Sequence, residues 1–331
     1  MDPHVSGEQV PSSPSLTYHG FSPNSAATKM TRVRDFLGPY RLARLIRMGS
    51  SCQVWEGIES DTQKHVALKV LREDFRKDRT ELSNLKTEYE IAKAMNHPNV
   101  IRMYELVLNG PAPYLVLELF SELNMKQALR RGAEGIAHMV DKVIQQSAEG
   151  LYYMHTQGFV HCDIKPDNFL VSREGEVKLI DFTISRRIPK GISKFIGGKS
   201  KHIQGTRSYM SPEQIRGLRL DPRADVYSFG CVMFELMTGK LPYTGESPND
   251  LLNKHISAPI PSPITANDNV TSEFAELIRT CMAKKPGDRP ESMWELIKLL
   301  RVTRVFKKQP RVPEHSVFDD FPTAGRVAPQ Q

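Results

Sequence analysis

Polar side chains crowd between two apolar runs in the segment FVHCDIKPDNFLV, which is a poor place for a simple turn. The segment holds Asp163, Lys165, Asp167 and Asn168, and Asp181 ends the next apolar run. Carboxylate and carboxamide oxygens are hard ligands that suit Mg²⁺, which takes few protein ligands and completes its shell with phosphate oxygens. Lysines suit the phosphates themselves. The pattern is consistent with a magnesium–phosphate site, and also with a polar loop of ordinary Asp and Asn turn chemistry.

A lysine also stands inside the strand-like run HVALKVL. Such a lysine is usually a solvated residue of an edge strand, but a carboxylate partner would change that interpretation for Lys69. The helical segment that follows has one apolar stripe, formed by Leu82, Leu85, Tyr89, Ala92 and Met95. Glu88 falls on the flank of this stripe, and Glu90 points to the opposite side. An inward-facing glutamate is costly unless it is paired, so we predict that Glu88 bonds to Lys69.

The order of the elements predicts where these residues meet. Short β-like runs dominate residues 40–118, interrupted by one helical stretch at about 78–96, and helical patterns dominate from about residue 123 onward. A β-rich part followed by a helical part predicts two lobes. We expect the cleft between them near residues 118–121.

Composition shifts mark the ends of this unit. Residues 1–35 are rich in Ser and Pro and predict a disordered arm, and residues 304–331 predict a flexible tail that contains prolines. The folded unit then covers residues 36–303, with a smaller lobe over about 36–120 and a larger lobe over about 121–303.

The rest of the composition limits the class of protein. No run of about eighteen apolar residues occurs, and the N-terminus lacks the basic start and apolar stretch of a secretory signal. The four cysteines, Cys52, Cys162, Cys231 and Cys281, are far apart, which argues against a disulfide framework or a zinc site. These features favour a protein of the reducing cytoplasm without a membrane span.

Taken in chain order, the motifs resemble those of the eukaryotic-type (Hanks-type) serine/threonine protein kinases, in particular soluble bacterial members, from about residue 40 to about residue 300. The matching pieces are VALK ending at Lys69, HCDIKPDN starting at His161, DFT starting at Asp181, SPE ending at Glu213, DVYSFG starting at Asp225 and GDRP with Arg289. The Lys-Pro pair after Asp163 is similar to the Ser/Thr branch. The resemblance implies an α+β bilobal fold, with a small antiparallel β lobe carrying one main helix and a larger, mostly helical lobe. It also implies that Arg289 pairs with Glu213.

The resemblance implies roles for the polar cluster as well. Asp163 would accept or orient the proton of a substrate hydroxyl, and Lys165 would neutralise charge on the transferred phosphoryl group. Asn168 and Asp181 would hold Mg²⁺. The implied reaction moves the γ-phosphate of ATP to Ser or Thr hydroxyls of other proteins.

The implied ATP site lies between the lobes. Lys69, held by Glu88, would bind the α- and β-phosphates. The adenine would sit between Val54, Ala67 and Leu170, with Leu117 at the back and backbone hydrogen bonds at Glu118 and Phe120.

The glycine-rich loop departs from the family pattern. It is RMGSSCQV, in which only the middle glycine, Gly49, remains. Glycines let backbone N–H groups approach phosphates without a Cβ in the way. Arg47 and Cys52 add bulk, whereas Ser50 and Ser51 add hydroxyl donors. We expect weaker nucleotide binding, not its loss.

Two further departures concern regulation. Thr183 replaces the glycine after Asp-Phe and restricts the backbone, so we expect Asp181 to flip less freely. Cys162 replaces an arginine that commonly binds a phosphorylated activation loop, so we expect activity to depend little on phosphorylation there. The candidate phosphorylation sites are Ser193, Ser200 and Thr206. For Thr206 a structural role beside Asp163 and Lys165 is the stronger expectation.

The segment 182–212 contains no acidic residue. Its basic residues are Arg186, Arg187, Lys190, Lys194, Lys199, Lys201 and Arg207. It is consistent with a solvated loop, with a surface that attracts acidic substrate segments, or with a docking place for the tail sequence Phe-Asp-Asp-Phe at residues 318–321.

Two other functions stay open. The altered glycine-rich loop and Thr183 are consistent with a pseudokinase, a scaffold that binds nucleotide and partners without turnover, although a retired site has no need of the full catalytic set. The net charge of +7 and the pI of about 9.1 raise nucleic acid as a partner. A nucleic-acid binder needs basic residues interleaved with exposed aromatics, and the basic segment has almost none, so this function is disfavoured.

Overall fold

The computed structural model describes residues 36–188 and 205–319. The predicted arm at 1–35, Ser193, Ser200 and Phe321 lie outside these ranges. Within them, no helix combines the length and the apolar character needed to cross a bilayer. All four cysteines are free.

The smaller lobe is an antiparallel sheet with the strand order β1-β2-β3-β4-β6-β5. The strands are β1 (Phe36–Leu37), β2 (Tyr40–Met48), β3 (Cys52–Glu59), β4 (His65–Leu71), β5 (Met103–Val107) and β6 (Tyr114–Glu118). Helix α1 (Arg79–Ala92) packs against β5 and β6. It begins at Asp78, whose side chain accepts hydrogen bonds from the N–H groups of Thr80 and Glu81. Leu85 of the predicted stripe is buried.

The larger lobe is mostly helical. Its helices are α2 (Met125–Arg130), α3 (Glu134–Ala137), α4 (Val140–Thr156), α5 (Pro212–Ile215), α6 (Pro222–Thr238), α7 (Pro248–Ser257), α8 (Ser272–Cys281) and α9 (Met293–Val302). Short strands form its upper face: β7 (Leu123–Asn124), β8 (Phe159–Val160), β9 (Phe169–Val171), β10 (Val177–Leu179) and β11 (Arg186–Arg187). The predicted α+β bilobal architecture is confirmed.

Helix α6 is the centre of this lobe. Every residue from 224 to 237 is buried, because the helix is apolar nearly all round and has neighbours on every side. It begins at the N-cap Asp221 with a proline in its first turn, and it ends at Gly239, whose φ of +67° suits glycine.

The predicted ion pair between Glu213 and Arg289 is confirmed. The guanidinium donates to the two carboxylate oxygens at 2.7 and 2.9 Å, and both side chains are buried. The pair connects Glu213, directly after the basic segment 182–212, to the loop before α9.

Residues 304–319 pack on the larger lobe, although the sequence predicts a flexible segment after residue 303. Val305, Phe306 and Phe318 are buried. Asp319 pairs with Arg173 at 2.9 Å. The prediction fails here because a few spaced anchors, and no periodic stripe, hold this segment.

Helix α7 carries a buried histidine among aromatic rings. Tyr227 Oη lies 3.0 Å from Nδ1 of His255, and the ring of Tyr243 packs edge-on at 5.0 Å between centroids. Lys284 donates to the backbone carbonyl of His255 at 3.0 Å. Burial, and after it the Lys284 ammonium, lowers the pKa of His255 to about 4.

This lowered pKa makes stability depend on pH. The folded pKa lies below the unfolded value of 6.5, so the contribution of His255 is complete above pH 6.5 and is lost as the pH falls. Between these values the unfolded chain binds a proton that the folded chain does not. The free energy of unfolding should therefore fall by up to about 1.4 kcal/mol per pH unit. Denaturant titrations between about pH 6.5 and 4.5 measure this slope.

Two variants test the assignment of that slope. His255→Gln should flatten it, whereas His315→Gln, at an exposed histidine, should keep it. An unchanged slope in His255→Gln would place the titrating group elsewhere.

Candidate active site

A cleft with a volume of about 530 Å³ lies between the two lobes. This volume suits a small-molecule ligand. The predicted apolar residues Val54, Ala67 and Leu170 all line it, and Leu117 does as well. The structure adds Ile46 and Ile180 to this lining. Sequence reasoning missed both, because each belongs to a strand-like run whose other face cannot be assigned from periodicity alone.

Backbone groups of the segment that connects the lobes are partly engaged within the protein. The N–H of Glu118 is used, since it donates to the carbonyl of Arg102 at 2.9 Å. The carbonyl of Phe120 is also used, since it accepts from the N–H of Glu122 at 3.0 Å. If the predicted adenine contacts form, they would use the other backbone atom of each residue: the carbonyl of Glu118 as acceptor and the N–H of Phe120 as donor. The backbone hydrogen bonds from Glu118 and Phe120 to adenine stay predictions.

The altered glycine-rich loop is a tight turn between β2 and β3. The N–H of Gly49 donates to the carbonyl of Cys52 at 2.8 Å, and a Cβ on Gly49 would lie 3.0 Å from that oxygen. Arg72 donates to the carbonyl of Ser50 at 2.8 Å, and the hydroxyl of Ser51 donates to a glutamate of α1. These contacts hold the turn in place of the missing glycines. The Gly49 N–H is therefore engaged within the turn, and the predicted phosphate contacts of Gly49 and Ser50 stay predictions.

Lys69 and Glu88 form the predicted pair. Lys69 Nζ is 2.7 Å from Glu88 Oε2 and 3.8 Å from Asp181 Oδ1. Glu88 is buried. Burial alone lowers the pKa of Lys69, but the carboxylates of Glu88 and Asp181 outweigh burial and raise the pKa. The lysine is therefore a fixed positive charge at the floor of the cleft.

The catalytic-loop residues lie together on the larger lobe. Lys165 Nζ is 2.5 Å from Asp163 Oδ2 and donates to the hydroxyl of Thr206 at 2.9 Å. The N–H of Thr206 donates to Asp163 Oδ1 at 2.8 Å. The predicted structural role of Thr206 is confirmed. Its hydroxyl and N–H bridge the two residues and aim both into the cleft that they line.

Asn168 and Asp181 are the candidate metal ligands. The side-chain nitrogen of Asn168 donates to the carbonyl of Asp163 at 2.8 Å, which leaves Oδ1 of Asn168 for a metal ion. Burial alone raises the pKa of Asp181, but the Lys69 ammonium and the Thr183 hydroxyl outweigh it and hold the pKa well below its usual range. Residues 36–188 and 205–319 contain no cluster of three or more His, Cys, Asp or Glu side chains that could hold a metal alone. An amide and a carboxylate oxygen fit Mg²⁺ that takes its other ligands from phosphate and water.

Asp225, at the start of α6, positions the predicted catalytic loop that begins at His161. The sequence does not reveal this role. Its carboxylate accepts from the N–H of His161 at 2.7 Å and of Cys162 at 2.9 Å. Cys162 has a φ of +69°, which a residue with a Cβ rarely adopts. The two hydrogen bonds from the backbone N–H groups to Asp225 hold that conformation. Cys162 itself is buried, and burial raises the pKa of its thiol, so it provides no charge for binding a phosphate.

A family model described as protein kinase domain matches residues 40–298. The chain belongs to the protein kinase family. It is 30% identical over 272 residues to the serine/threonine-protein kinase PknB of Mycolicibacterium smegmatis, which is 81% of this chain and 43% of that protein. It is 32% identical over 250 residues to the serine/threonine-protein kinase PknL of Mycobacterium tuberculosis, which is 76% of this chain and 62% of that protein. The chain thus matches less than two thirds of the length of these relatives.

The tight turn at Gly49 makes a prediction about nucleotide affinity. In Gly49→Ala the new Cβ would press on the carbonyl of Cys52 and shift the loop. We expect ADP to bind about fivefold more weakly, or roughly 1 kcal/mol, in an equilibrium titration. Gly287→Ala is the matched control, because a Cβ there meets open space. Equal affinity of both variants would show that the loop does not contact the nucleotide.

Proposed function

We propose that this chain is a serine/threonine protein kinase that transfers the γ-phosphate of Mg-ATP to hydroxyl groups of proteins. One observation carries the proposal: Asp163 and Lys165 are bonded to each other in the same cleft that the Lys69–Glu88 pair lines, and Asn168 contacts Asp163. The family membership and the names of the relatives support it.

The side chains divide the chemistry among them. Asn168 and Asp181 would hold magnesium, which would reduce the negative charge on the phosphates. Lys69 fixes the phosphates of the nucleotide. Asp163 accepts or orients the proton of the attacking hydroxyl, and Lys165 places a positive charge where negative charge develops.

A pseudokinase remains the second candidate. The observation that favours it is the turn at Gly49, whose N–H is bound within the protein and so cannot serve a phosphate. The paired Lys69 and Glu88 and the well-placed Asp163 favour turnover.

Asp163→Asn separates these two functions. We expect phosphate transfer from Mg-ATP, to the chain itself and to a generic basic protein, to fall by about 10²- to 10⁴-fold. The affinity for nucleotide should stay close to that of the parent, because Asp163 acts on the substrate hydroxyl. Radiolabel transfer and equilibrium nucleotide binding are measured in parallel.

The control is Asp167→Asn, which removes a carboxylate from the same loop and should keep most of the rate. Bound nucleotide with no transfer by the parent chain would favour the pseudokinase. Transfer that survives in Asp163→Asn would contradict the role of Asp163.

We also propose that the C-terminal segment is an intramolecular strap of the larger lobe. Phe318 is 1% exposed within the main hydrophobic core. The guanidinium of Arg131 donates to the carbonyl of Val317, and Asp319 pairs with Arg173. These contacts lie on the larger lobe, near α3 and the loop after β9.

Phe318→Ala tests the strap. The loss of a buried ring should lower the free energy of unfolding by about 3–5 kcal/mol in a denaturant titration. Phe36→Ala is the control, since that ring is 48% exposed and its loss should change stability little. Equal effects of the two substitutions would mean that residue 318 is not an anchor.

A further inference from the structure

The residue after Asp181-Phe182 is a threonine where the family has glycine, and its hydroxyl is engaged in the cleft. Thr183 Oγ1 donates to Asp181 Oδ1 at 2.6 Å. The backbone N–H of Thr183 points to the same oxygen at 3.4 Å. A glycine could keep only this longer and weaker backbone contact. The short bond therefore belongs to this chain and not to the family pattern.

The same hydroxyl also lies 3.5 Å from Oε2 of Glu88. That carboxylate oxygen is the one that accepts from Lys69 at 2.7 Å. A hydroxyl has one proton, and the shorter distance assigns it to Asp181. Glu88 is then the second acceptor within reach. The threonine thus lies between a metal ligand of the larger lobe and the ion pair of the smaller lobe.

The backbone at Asp181 needs such support. Asp181 has a φ of +68°, in the left-handed region that residues with a Cβ rarely adopt. Phe182 is fully buried against the ring of His161, so the chain is anchored directly after Asp181. The hydroxyl bond fixes one carboxylate oxygen of Asp181 and leaves the other for magnesium. The branched Cβ of Thr183 also restricts its own rotamers.

We propose that Thr183 is a positioning residue, whose hydroxyl holds Asp181 in the metal-binding orientation beside Glu88 and Lys69. This inference rests on the proposed kinase function and concerns how that same site is held ready. In the family an arginine commonly precedes the catalytic aspartate and binds a phosphorylated activation loop. Cys162 occupies that arginine position here.

Three substitutions separate the hydroxyl from the shape of the side chain. Thr183→Val keeps the branched Cβ and removes the hydroxyl. Thr183→Ser keeps the hydroxyl and removes the methyl group. Thr183→Gly restores the family residue. If the hydroxyl positions Asp181, the Thr183→Val and Thr183→Gly variants should lose this positioning, whereas Thr183→Ser should keep it.

The first measurement is the gain in affinity for a non-hydrolysable ATP analogue when Mg²⁺ is added, determined by calorimetry. This gain reports on Asp181 as a metal ligand and does not need turnover. It should fall about tenfold in Thr183→Val and Thr183→Gly and stay within about twofold of the parent in Thr183→Ser. The affinity without Mg²⁺ should be similar in all four proteins.

Hydrogen exchange provides a second measurement without turnover. Backbone amides around residues 181–185 should exchange faster in Thr183→Val and Thr183→Gly than in the parent or Thr183→Ser. Phosphate transfer should follow the same order, with the loss in kcat exceeding any change in KM for ATP.

The outcomes distinguish this inference from the proposed function. A magnesium-dependent gain in Thr183→Val equal to that of the parent would overturn the inference, as would a loss in Thr183→Ser as large as in Thr183→Val. A parent chain that transfers no phosphate would overturn the kinase activity alone. The gain in affinity for the ATP analogue on adding Mg²⁺ would still be larger in the parent and Thr183→Ser than in Thr183→Val and Thr183→Gly.

Discussion

The buried carboxylate of Asp225 is the contact on which the site depends most. It accepts hydrogen bonds from the backbone of His161 and Cys162 and lies 2.8 Å from Nε2 of His155. Burial alone raises the pKa of Asp225, but the bonds from His155 and from the backbone outweigh burial and lower the pKa. A buried charge without these partners would cost several kcal/mol. The charge is therefore tolerable only where the catalytic loop meets α6, and this requirement fixes the loop on the helix.

The same helix also anchors the last part of the basic segment 182–212. The hydroxyl of Tyr209 donates to Oε2 of Glu235 at 2.5 Å, and the ammonium of Lys126 donates to the other oxygen. Glu235 is buried near the end of α6. Lys126 of α2 and Tyr209 of the segment 182–212 are thus bound to one helix. This arrangement lets short, irregular loops carry side chains at defined positions.

Part of the site could be predicted from local pattern. The apolar stripe of α1 selects Glu88 over Glu90, because only one of them faces the sheet, and the bond to Lys69 is present in the structure. The order of the motifs also places the cleft at the junction of the lobes, and Val54 of β3 and Leu170 of β9 both line it. These predictions succeed because helix and strand periodicity report directly which side of an element is buried. The roles of these residues in catalysis and binding stay predictions.

The sequence by itself determined the family and the two-lobed order of strands and helices, and it singled out the candidate acids, bases and metal ligands, whose roles stay predictions. Only the tertiary structure decided that Asp225 accepts hydrogen bonds from the backbone of His161 and Cys162, that the Thr183 hydroxyl bonds to Asp181 near Glu88, and that Phe318 is buried. Most of these contacts join residues far apart in the chain, and the hydroxyl bond of Thr183 depends on an unusual backbone angle at Asp181. Local periodicity carries no information on the long-range contacts or on this backbone angle, because they arise only when the elements pack together.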